Sequence, residues 1–191
     1  MEQRDLINEL GSAARGCWGI LMGDRIAANQ IDGSLGGVAT SFIPLLIALA
    51  LQAMFLLPLP ADVIAPPTVF VLLHLLAISI AGFAGVYGYL RARGAMIVME
   101  QYIVAHNWSN LFFLVIALVL SFLLPGMIGS TIMFVATTLF YFRAASFLLG
   151  ISGPDVILMI GAQFLTMVAS VIALMVIGMI IPGIGFQVVV S

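Results

Sequence analysis

The sequence predicts an all-α polytopic membrane protein, a bundle of five spanning helices behind an N-terminal amphipathic helix. Three observations carry that prediction. Of 191 residues, 63% are hydrophobic and only 7% are charged, where a soluble domain carries about 25% charged residues. A water-facing surface cannot be built from so few charges, so lipid must be the solvent for most of the chain. Five apolar runs follow one another from Val38 onward, each long enough to cross about 30 Å of hydrocarbon. Lastly, all six arginines fall in or beside alternate connections of such a chain.

Residues 1–28 come first. Leu6, Leu10, Ala13, Cys17, Ile20 and Leu21 recur at steps of three and four, one stripe of a helix. Arg4, Asp5, Asn8, Ser12 and Arg15 fall largely elsewhere on the wheel. Two placements fit: a helix lying in the headgroup plane with Trp18 as interfacial anchor, or a helix packed on the cytoplasmic ends of the spans. MEQRDLINEL lacks the apolar core of a cleavable signal, so the first span is expected to insert uncleaved. Asn29–Gly37, NQIDGSLGG, is rich in breakers and is expected to be a hinge. The domain division is thus 1–37 and 38–191.

The spans are expected at 38–57, 68–90, 103–124, 127–149 and 156–181. Pro44 should kink the first of them. Pro58–Pro67, with four prolines, must be a loop. Arg91–Tyr102 is the central turn, Pro125-Gly126 a tight turn, and GISGPD at 150–155 a turn that starts the last helix. Pro182–Ser191 is a short tail. Five spans put 1–37, 91–102 and 150–155 on one side, with Arg4, Arg15, Arg25, Arg91 and Arg93, and leave Arg143 close to it. By the positive-inside rule that side is cytoplasmic, and the C-terminus lies outside.

Composition excludes several functions. There is no lysine, hence no Schiff-base or Ser–Lys chemistry. A single cysteine, Cys17, forbids an internal disulfide. No basic cluster is present to lie along phosphates, so nucleic acid is not an expected partner. HExxH, GxSxG and paired intramembrane aspartates are all missing. We therefore expect no enzyme, no cofactor and no metal.

Polar residues at membrane depth usually mark function. The candidates are Gln52, His74 and Gln163, each of which also reads as an interhelical hydrogen bonder. Ala77, Ala81 and Gly85 form a small-residue stripe that lets helices approach closely. In Arg91–Asn110, RARGAMIVMEQYIVAHNWSN, the chain has its longest polar interruption. Counted back from Leu124 at about 1.5 Å per residue, His106 and Trp108 reach the inner membrane boundary. Tyr102 and Trp108 read as an aromatic belt. Glu100 can pair with Arg91, Arg93 or Arg143. Together with Trp18 and His106, these residues are candidates for contact with a partner or lipid.

Arg15–Phe42 (RGCWGILMGDRIAANQIDGSLGGVATSF) and Glu100–Leu111 (EQYIVAHNWSNL), set in this five-span pattern, resemble stretches of bacterial Yip-like membrane proteins of the Yip family. The resemblance implies a multi-pass protein of the bacterial inner membrane, and a non-enzymatic adaptor or accessory subunit that binds other membrane proteins, or itself, or organises lipid. The alternative is a small oligomeric transporter or channel with Gln52, His74 and Gln163 as its polar path.

Overall fold

A computed structural model describes residues 3–56, 63–64, 68–94, 99–181 and 187–188. Six α-helices occur among them: α1 (Gln3–Met22), α2 (Leu35–Leu56), α3 (Thr68–Ala92), α4 (Glu100–Leu123), α5 (Gly126–Leu148) and α6 (Gly153–Ile180). The last five are long and apolar enough to cross a membrane. The fold is all-α, as expected. The segments 57–62, 65–67, 95–98 and 182–186 lie outside the described residues, and with them most of the proline loop, part of the central turn and much of the tail.

α1 ends at Met22, short of the expected boundary at residue 28. Gly23 stops it with φ +91°, a conformation that glycine adopts without a Cβ clash. Its N–H donates to Ile20 O at 3.0 Å, and Asp24 N–H donates to Gly19 O at 2.8 Å, the two bonds of a Schellman cap. Asp24 Oδ1 then accepts Ile26 N–H at 2.8 Å, and a 3-10 turn follows at Ile26–Gln30. The expected hinge is therefore ordered structure. Ile31 is buried, Asp32 Oδ1 accepts Ser34 N–H at 2.9 Å, and Ser34 Oγ accepts Gly37 N–H at 3.1 Å. The same Asp and Ser that read as breakers cap the start of α2.

α2, α4 and α6 each begin three residues before the apolar run that signalled them. Hydropathy marks where hydrocarbon starts, whereas the helix starts in the residues before it. Just before α6, Ser152 Oγ donates to Asp155 Oδ2 at 2.6 Å. Glu100 and Tyr102, expected in a turn, consequently lie in the first turn of α4.

Two compact units emerge, Met1–Leu45 with Ile97–Ile157, and Leu46–Met96 with Leu158–Ser191. The N-terminal region thus clusters with α4 and α5. In the first unit α1 packs on α4 and α5. Ala13, Cys17 and Ile20 of α1, Val104, Ala105 and Trp108 of α4, and Phe140, Ala144 and Ala145 of α5 are buried there. In the second unit Gly85 of α3 lies against the backbone of α6. Val63–Ile64 pairs antiparallel with Gln187–Val188 in that unit, in the register Val63↔Val188 and Ile64↔Gln187. That pairing brings the connection after α2 to the stretch after α6, which the five-span reading had placed on one side.

Large apolar side chains such as Phe122, Phe134, Phe164 and Met179 are exposed along the long helices. Water would penalise each of them, while hydrocarbon does not.

Candidate functional site

The chemistry-bearing residues of the first unit gather at the start of α4, beneath α1. α1 is fastened there along its length. Near its first turns, Thr40 Oγ1 of α2 donates a short hydrogen bond to Glu9 Oε1. In its middle, the Cys17 thiol donates to Ala105 O of α4 at 3.8 Å. At its end, the Arg143 guanidinium of α5 donates to Leu21 O. The last carbonyls of a helix have no intrahelical partner and carry the negative end of its dipole, so a cation there is well placed. Arg25 adds a cation–π contact, 5.2 Å from the Phe147 ring centroid. Gln101 Nε2 donates to Ile31 O at 3.2 Å and closes the same corner. Of the two placements expected for the N-terminal helix, packing on the helix ends is the one observed.

Burial pushes the Cys17 thiol up to about 12, because a thiolate would lose its hydration there.

α4 is fixed on two other faces. Asn107 Nδ2 donates to Ser41 Oγ of α2 at 2.9 Å, and both residues are fully buried. Toward α5, His106 lies between two tyrosines, with ring centroids 6.3 Å from Tyr102 and 5.0 Å from Tyr141. Ser109 Oγ donates to His106 O at 2.9 Å on the same helix. Trp108 stacks on Phe112 at 5.7 Å. Buried polar atoms without a hydrogen bond cluster here: Glu100 Oε2, Tyr102 Oη, Asn107 Oδ1 and Trp108 Nε1.

These positions correct part of the sequence reading. Tyr102 and Trp108 are 1% and 5% exposed, so they are no aromatic belt; the helices packed on α4 cover them. Glu100 does not pair with Arg143, whose guanidinium is turned to Leu21 O. Arg91 and Arg93 end α3 in the second unit, with Arg93 5.9 Å from the Tyr89 ring centroid. Trp18 is 60% exposed on the outer side of α1. In the second unit, His74 Nδ1 bonds Phe70 O of its own helix. Gln163 lies beside Gly82, where its Nε2 would stand 3.3 Å from an added Cβ, and Gln52 is half-buried. Among the described residues no hydrogen bond joins Gln52, His74 and Gln163, and no three His, Cys, Asp or Glu lie close enough to share a metal.

Sequence reasoning missed the pairs Thr40–Glu9, Ser41–Asn107 and Arg143–Leu21. Their partners lie 31, 66 and 122 residues apart, and no local periodicity reports such a meeting. The only signal was the rarity of Ser41 and Asn107 as polar residues near apolar runs.

Ser41→Ala should cost about 1–3 kcal/mol in detergent melts, because the Asn107 amide donor stays buried without its acceptor. Combining it with Asn107→Leu should give less than the summed loss. Simple additivity would mean that the bond contributes nothing.

The sequence matches no protein-family model, no curated protein and no solved structure.

Proposed function

We propose that the protein is a non-enzymatic adaptor or accessory subunit, of the kind the Yip resemblance implies, that presents its docked N-terminal segment to other proteins of a bacterial inner membrane. The observation that carries this reading is an apolar face held on a rigid base. Met22 and Ile26 are 57% and 76% exposed on a segment joined by hydrogen bonds to α2, α4 and α5. Gly23, Asp24 and Arg25 interleave with them, and two charges at that spacing are costly in hydrocarbon. A partner's surface covers such residues better than lipid does.

A photo-crosslinking residue at position 22 or 26 tests the reading in native membranes. One stoichiometric membrane protein should be captured at both positions. Adducts to lipid alone, or none, would count against it. The one-sided arginines support a cytoplasmic N-terminus and an outer C-terminus. Alkaline phosphatase fused after Ser191 should accordingly be active, and green fluorescent protein fused there dark; the opposite pattern contradicts the orientation.

A further inference from the structure

An open groove of about 500 Å³ runs between α1 and α4. Ala14 and Leu21 form one wall, and Phe112, Val115 and Ile116 form the other, with Trp18 at the rim. We infer that this groove holds one acyl chain of a phospholipid from the surrounding bilayer.

Three observations choose that occupant. The α4 wall belongs to a candidate span, with Val115 and Ile116 partly exposed, so the groove is continuous with a surface that faces hydrocarbon. Its size is wrong for a partner helix, because one helical turn about 10 Å across takes up roughly 400 Å³. The groove would admit little more than a single turn, whereas a thin flexible chain fits along it. Finally, its rim suits the polar end of a lipid. Arg15 folds back over Gly11, where its Nη1 would stand 3.5 Å from an added Cβ. Gly11, Arg15 and Trp18 share one ridge of α1 by their spacing, so the ridge that carries the rim's indole also carries a guanidinium. A guanidinium recognises phosphate, and an indole favours the membrane interface.

The inference is independent of the adaptor reading, since the variants below leave Met22 and Ile26 untouched. The full chain in mild-detergent micelles would be titrated with phosphatidylcholine brominated midway along one acyl chain, and tryptophan quenching recorded. Trp108 is buried and supplies a steady background; Trp18 is the reporter. Quenching should saturate near one lipid per chain. Ala14→Phe, which fills the groove, should weaken the saturable phase at least tenfold. Val115→Phe should do the same from the other wall, at an exposed position where folding is not at risk. Ala173→Phe, exposed on α6, should change nothing. Quenching that merely tracks lipid mole fraction in the unaltered protein would show adventitious partition only and overturn the inference. So would a saturable phase that survives both groove-filling variants.

Discussion

Ile20→Ala should lower stability by about 2–5 kcal/mol, the range for deleting a fully buried aliphatic side chain, and should release α1. Ile20 is wholly buried in the first unit, on the helix that meets α4 and α5. α1 is not among the candidate spans. Its undocked state therefore faces water and headgroups, and Ile20 keeps the full hydrophobic contribution that residues deep in the spans lose. The drop should appear in detergent melts and as new protease cleavage near Gly23. Trp18→Ala is the control, because that larger side chain is mostly exposed. Equal melting temperatures for the two variants would contradict the packing described.

Gly85→Leu should be the most damaging change in the second unit, at about 1–3 kcal/mol or more. A Cβ at Gly85 would stand 2.8 Å from Ala162 O and 2.9 Å from Gln163 Cα. Both are backbone atoms and cannot rotate aside, so α3 and α6 would have to part. In lipid no hydrophobic force redresses that separation, since dispersion at close approach is what holds such helices. Gly88→Leu has nothing within 4 Å of its added Cβ and carries the same change in helix propensity. A similar melting temperature for the two would show that the approach at Gly85 contributes nothing.

Composition made the fold class legible, and hydropathy placed every long helix to within about three residues at each end. The Ala77, Ala81, Gly85 stripe also pointed to close packing, and Gly85 does meet α6. What hydropathy cannot report is a first helical turn built from polar residues. Ser34 and Glu100 therefore looked like loop and are the start of helical structure. The candidate site was half legible. Tyr102, His106 and Trp108 were singled out, and they lie together in the first half of α4, with His106 beside Tyr102. Their burial was not readable, because α1, which lies over α4, comes from the other end of the sequence. Arg143 shows the same limit. Charge alone suggested a carboxylate partner, yet its guanidinium goes to the Leu21 carbonyl at the end of α1.

The central claim is that α1 is a fastened part of the first unit and not a helix lying free on lipid. Cys17 tests it directly, being the only cysteine and facing Ala105. The folded thiol is pushed up from 9.0 to about 12 by burial. The stability contributed by the neutral thiol is therefore present below pH 9.0 and is lost as pH rises toward about 12. Alkylation needs both access and thiolate. In intact membranes at pH 7–8.5 a water-soluble maleimide should leave Cys17 unmodified, and should label it fully once the chain is unfolded in dodecyl sulfate. Arg143→Gln should raise the native rate by loosening the end of α1. Rapid, stoichiometric labelling of Cys17 in the native protein, at the rate of the unfolded chain, would contradict the docked helix.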